Sequence, residues 1–281
     1  MHRYLRAVGF SKVHKREEYE ALAQFTAECY QSEETTVTAE GEEFSERRKA
    51  FADQMGLLAR GVYDENDEYH MDYCIPYFSG KTERFYEDMT IERQAEKEAY
   101  CGVCDDMNLG VTLIFYLQNV TEYLNKRRYG RSDSFSASLI LSGLSVEGKI
   151  LMPVYQKTPV VSEIKSNQER SRMIQAARNG DEDAIENLTL EDMDTYSMIS
   201  RRIADEDVFS IVTTHFMPCG VECDHYNIMG DILDVELREN SKTGEKIYVM
   251  TIESNSIVLD VCINEQDLLG VPERGRRFRG I

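Results

Sequence analysis

No run of this chain is apolar for long enough to cross a membrane. The longest, Leu109 to Leu117, is interrupted by Gly110 and Thr112, and a spanning helix needs about 20 residues. A buried strand is the reading that fits it. The opening residues, Met1 to Phe10, hold no long apolar core, which excludes a secretory signal peptide. Positive charge is scarce as well: 32 Lys and Arg stand against 51 Asp and Glu, a net of −19 at pH 7. A surface this acidic repels nucleic acid and anionic membrane at long range, and suits solubility or a basic partner. Internal repeats and low-complexity tracts are absent. An odd set of 7 cysteines with no export signal reads as free thiols in a reducing compartment. These exclusions point to a soluble cytoplasmic protein, without membrane contact and with nucleic acid disfavoured as a partner.

What is present is enough for a core. The chain has 281 residues, 42% of them apolar and 30% charged, a globular balance that allows one large domain or two smaller ones. Lys15 to Tyr30 reads as a helix, because Tyr19, Leu22, Ala23, Thr26 and Tyr30 share one face. Gln31 to Glu43 is polar and reads as a loop. Leu57 to Tyr63 and Glu68 to Phe78 flank the turn Asp64-Glu65-Asn66-Asp67 as a hairpin. Thr90 to Cys101 fits a strand by alternation and a helix by its Glu, Lys and Ala content. Leu109 to Val120 reads as a central strand. Ser136 to Ser142 and Lys149 to Tyr155 read as a second hairpin, closed by Val146-Glu147-Gly148.

Ser166 to Ala204 is a run of short helices, punctuated by Asn179-Gly180 and capped by Asp181. Beyond it, Val208 to Met217, Ile228 to Leu237, Lys246 to Glu253 and Ser256 to Ile263 read as strands. Glu265 to Leu269 is a short helix and Arg276 to Ile281 is extended. Three strands, a helix and another strand suggest an OB-like barrel. Such a barrel needs one strand more after Ile281, or else Val208 to Met217 closes it. The fold class is therefore α+β. It comprises a mostly antiparallel N-terminal α+β domain over 1–160, a helical bridge over 161–204, and a small β-rich, OB-like domain over 205–281.

Several segments carry chemically suggestive residues. Gly143 to Lys149 has P-loop spacing, but Ile150 stands where Ser or Thr must bind magnesium, and no helix can start comfortably at Leu151-Met152-Pro153. Nor is it a nucleophile elbow, since Ser145 has no glycine two residues on. Cys101 and Cys104 have the C-x-x-C spacing of a zinc or redox pair, yet Asp105 and Asp106 raise their pKa values and no second pair exists. Asp64, Asn66 and Glu68 alternate like calcium ligands but lack the glycine and distal Glu of an EF-hand. The densest polar cluster runs from His215 to His225. There His215, Cys219, Cys223 and His225 are the candidate metal ligands or acid–base groups. A turn punctuated by Pro218 and Gly220 is the competing reading. Two basic clusters, Lys126-Arg127-Arg128 with Arg131 and Arg274-Arg276-Arg277 with Arg279, could meet phosphates, with Tyr248 or Phe278 stacking on bases. Surface pairing with the abundant carboxylates is the simpler account.

Four stretches taken together resemble a bacterial family of unknown function found in anaerobic Gram-positive gut bacteria. They are Met1 to Phe10, Ala176 to Glu186, Met217 to Asp224, and Val261 to Asn264 running on to Gly275-Arg276-Arg277-Phe278. The resemblance spans most of the chain and implies no activity, cofactor or catalytic residue. It also implies a further apolar strand beyond Ile281, so that this chain is either truncated there or closes its last sheet differently. No complete catalytic constellation is legible. The reading that follows is a non-enzymatic interaction or regulatory protein with a protein partner. The alternatives are a metal-binding protein or enzyme built on the His215–His225 loop, and a nucleic-acid binder using the terminal arginines.

Overall fold

The computed structural model describes residues 3–94, 99–106, 111–127, 134–152, 173, 175–177, 181–190, 193, 214–220 and 224–281. It is an α+β fold dominated by antiparallel sheet. A 3-10 helix (Arg3–Val8) is followed by α1 (Arg16–Glu28). Glu18 fixes the start of α1 by accepting the amides of His14 and Lys15, both at 3.0 Å, so two otherwise unpaired donors are satisfied. Its buried stripe of Leu22, Ala23, Thr26 and Ala27 keeps three of the five residues expected from the spacing; Tyr19 is half-buried, and Tyr30 lies past the helix end and is exposed.

The first sheet is a meander of β1 (Ser32–Val37), β2 (Glu43–Ala52), β3 (Met55–Tyr63) and β4 (Tyr69–Phe78). The hairpin expected around Asp64–Asp67 is present. The polar stretch expected as a loop holds β1 instead, an edge strand whose side chains are mostly exposed. Period-2 alternation gives this sheet two different faces. Odd residues of β2, such as Phe51, join Met55, Leu57 and α1 in one core. Even residues turn to α2 (Val120–Arg127), where Phe44 packs with Tyr100, Leu117, Val120 and Leu124. On that face Glu46 and Arg60 form an ion pair whose side chains are 0% and 2% exposed. Glu46 also accepts the Thr121 amide at 2.9 Å and the Thr121 hydroxyl at 2.6 Å, placing a carboxylate at the positive end of α2.

A second sheet has the order β7 (Val111–Tyr116), β6 (Tyr100–Asp106), β5 (Glu83–Arg93), β8 (Ser134–Ile140). The ambiguous Thr90–Cys101 segment resolves into the end of β5 and the start of β6. Leu109–Val120, expected to be central, supplies β7 at a sheet edge. There the Tyr226 hydroxyl reaches the Ile114 amide at 2.8 Å.

The third sheet closes on itself. Its path runs β10 (Gly148–Leu151), β16 (Arg277–Gly280), β12 (Tyr226–Glu239), β13 (Lys246–Ser254), β14 (Ile257–Asn264), β9 (Ser142–Ser145). β9 and β10 stand at opposite ends of that path and are separated in sequence only by Val146 and Glu147. They are one extended run bent at that point, not the arm of a hairpin. The β9–β14 pairing is parallel and the β10–β16 pairing antiparallel. A 3-10 helix (Glu265–Asp267) lies between β14 and β16, and the two-residue β15 (Leu268–Leu269) adds to the β10 edge. This is the pairing scheme of an OB barrel with its last strand moved to the front. The closing strand comes neither from beyond Ile281 nor from Val208–Met217. Most of that latter segment lies outside the described residues, and β11 (His215–Pro218) pairs with β12 on the outside of the path.

The barrel therefore draws on both sides of residue 160. The expected bridge over 161–204 falls largely outside the described residues, with helix at 175–177 and 182–190. Inside the barrel, Ile232, Met250, Val261, Ile263 and Phe278 form a core that continues into Met89, Cys104 and Leu113 of the second sheet. Gly148 permits the strand to pass there, because a Cβ would lie 2.6 Å from the Phe278 ring.

Candidate functional site: the covered face of the barrel

Strand alternation sorts β13 and β14 into an inner and an outer row. On the outer face the directly opposed pairs are Ile247 with Asn264, Val249 with Cys262, and Thr251 with Asp260. In OB barrels the face of the second and third strands, with the loop joining the first two, is the usual binding surface. Here those parts are β13, β14 and the turn 240–245, and the N-terminal half of the chain covers them.

The contact is specific. Residues 5–11 lie along the top of the face, with Leu5, Ala7, Val8 and Phe10 buried against Ile247, Val249 and Cys262. Their backbone is bonded by side chains at four positions, Arg6, Val8, Gly9 and Ser11. Asn264 Nδ2 donates to the Arg6 carbonyl (3.2 Å) and Asn240 Nδ2 to that of Val8 (2.8 Å). Thr243 Oγ1 donates to the Gly9 carbonyl (2.7 Å), and Glu245 accepts the Ser11 amide (3.0 Å) and hydroxyl (2.9 Å). The reading groups also hold one another. Asn264 Nδ2 lies 2.6 Å from Glu245 Oε2, and Asn240 Oδ1 accepts the amides of Lys242 and Thr243. Gly9 sits at φ +86°, and a Cβ there would lie 2.7 Å from Asn240 Cβ. Arg6 adds a two-pronged ion pair with Asp267.

The bottom row does a similar task for the link between the first two sheets. Buried Asp260 accepts the amides of Lys81 (2.6 Å) and Thr82 (3.3 Å) and the Thr251 hydroxyl (2.7 Å). Beside it is a cleft of about 60 Å³ lined by Lys81, Glu236, Arg238 and Asp260. A water occupies about 30 Å³ of liquid, so this space suits a water or two, not a metabolite. Lys81 and Arg238 are both spent on Glu236. A wider groove of about 370 Å³ runs past Lys149, Asn227, Leu268 and Arg279. Lys149 and Arg279 already interact with other groups of the chain.

The residues singled out from the sequence are placed elsewhere. Cys101 and Cys104 both lie in β6, and a spacing of three along a strand sends them to opposite faces, so they cannot share a metal. Burial, with help from Asp106 and Asp105, pushes the Cys104 thiol up to about 11, and burial pushes Cys74 up to about 12. Thiols held protonated are poor nucleophiles and poor ligands. None of Cys29, Cys74, Cys101, Cys104, Cys219 and Cys262 is in a disulfide.

His215 is in β11, its Nε2 2.8 Å from Asn227 Oδ1. Cys219 donates its amide to the His225 carbonyl at 2.8 Å. The His225 ring meets that of Tyr4 edge-on at 5.6 Å, and Cys223 lies outside the described residues. Among the described residues, three ligand-type atoms converge within 4.8 Å only at half-buried Asp64 and exposed Glu68 and His70. Amides of Asn66 and Glu68 already occupy Asp64 Oδ1.

The terminal arginines are likewise engaged. Arg274 lies 3.9 Å from Asp234, Arg276 lies 3.0 Å from Glu273, and buried Arg277 donates to the Met152 carbonyl at 2.9 Å. Phe278 is inside the barrel, and Tyr248 belongs to the same inward row, so neither is a stacking platform on the outer face. Lys126 pairs with Glu122, while Arg128 and Arg131 lie outside the described residues. Gly148 and Lys149 of the P-loop-like stretch are strand residues.

Sequence reasoning missed Asn240, Glu245, Asp260 and Asn264. Their one signal was polarity at positions flanking or interrupting the apolar strands.

An α+β chain whose OB-type barrel is sealed by its own N-terminal half is thus the class defined by the fold. The chain belongs to a bacterial family whose description reads "Domain of unknown function, E. rectale Gene description (DUF3881)", which matches residues 5–281. No curated protein and no solved structure matches it. No helix among the described residues is long and apolar enough to cross a membrane.

Proposed function

We propose that this chain is a non-enzymatic interaction or regulatory protein of the cytoplasm, and that its barrel is a module for holding polypeptide. One observation carries this reading. The surface that OB barrels offer to ligands is fitted here with amide, hydroxyl and carboxylate groups that bond the backbone of one segment at Arg6, Val8, Gly9 and Ser11. Such groups bind by hydrogen bonds to main chain and choose their ligand by the pockets between those bonds. The net charge of −19 favours a partner with a basic surface and speeds its encounter.

The test is capture with the full chain as bait from the cytosol of its own bacterium, followed by reciprocal capture with the enriched protein. The reading predicts one protein recovered in both directions, with binding weakened by salt. A bait that enriches no protein, but carries a metal or metabolite, would overturn it.

A further inference from the structure

We draw no further inference here: the strongest candidate, the Asp64, Glu68 and His70 side-chain cluster at the turn between β3 and β4, is a largely exposed acidic turn whose Asp64 carboxylate is already bonded by the amides of that turn and by His70, and no second observation there points to an ion.

Discussion

Replacing Glu46 by Ala should destabilise this protein more than any other single carboxylate change on the first sheet. The Glu46 carboxylate receives Arg60 Nε at 2.8 Å and Arg60 Nη2 at 2.6 Å. It also receives the Val120 amide at 3.3 Å, the Thr121 amide at 2.9 Å and the Thr121 hydroxyl at 2.6 Å. Truncation strips both partners at once. Arg60 is left charged and buried, retaining only the Tyr73 hydroxyl (3.1 Å) and the Leu117 carbonyl (2.8 Å). Orphaning one member of a buried pair costs about 3–5 kcal/mol. Losing an N-terminal cap costs about 1 kcal/mol more. Domains are stable by only about 5–15 kcal/mol, so Glu46→Ala should remove a large share of the total. The assay is urea unfolding followed by circular dichroism, comparing Glu46→Ala with the double variant Glu46→Leu/Arg60→Leu. Since a buried pair replaced by apolar residues is often near neutral, the double variant should recover most of the loss. A cost under about 1 kcal/mol for Glu46→Ala, or a double variant no better than the single, would refute the assignment of this pair as a buried brace under α2.

Four further outcomes follow from the same structure. Burial alone would raise the Glu33 pKa, but hydrogen bonds from Arg47, Ser45 and Tyr63 hold it down at about 2, against 4.5 for a free Glu. A depressed carboxylate stabilises the fold above its unfolded pKa, so this contribution should fade as pH falls from about 4.5 toward 2. It is on the order of 2–3 kcal/mol, and Glu33→Gln should flatten that part of an acid titration followed by circular dichroism. Gly9→Val in the intact chain should lower stability by about 1–3 kcal/mol in thermal unfolding, through overpacking against Asn240 and a strained φ; an unchanged midpoint would contradict the close approach. Zinc content measured by elemental analysis should be the same for wild type and Cys101→Ser/Cys104→Ser, since the two thiols face opposite ways. Fluorescence polarisation with single-stranded DNA should show no binding even at low salt; salt-sensitive binding abolished by Arg276→Ala/Arg279→Ala would restore the nucleic-acid alternative.

The strands of the barrel were legible where burial follows alternation. β14 carries Ile257, Leu259, Val261 and Ile263 at every second position, β12 and β13 are rich in Val, Ile, Leu and Met, and polar turns mark the ends of all three. β2 was not, because its central residues are Glu46, Arg47 and Arg48. Such a run looks solvated until Arg60 and Glu33 are seen opposite it. The bend at Val146–Glu147 has the composition of a hairpin turn. Only the long-range pairing of β9 with β14 and of β10 with β16 shows it to be a continuous strand. The covered face of the barrel was invisible for the same reason. Asn240 and Val8 are joined by a hydrogen bond across most of the chain, and nothing local marks either of them. The C-x-x-C and His-rich segments drew notice through residue type, whereas strand direction and side-chain pairing govern what they can do.

The most direct measurement is native mass spectrometry of the full-length protein, purified gently from cytosol under reducing conditions. The account predicts a complex whose excess mass is that of another polypeptide and which dissociates as salt is raised. A chain that flies alone, or one whose excess mass is a metal, nucleotide or oligonucleotide, would contradict it.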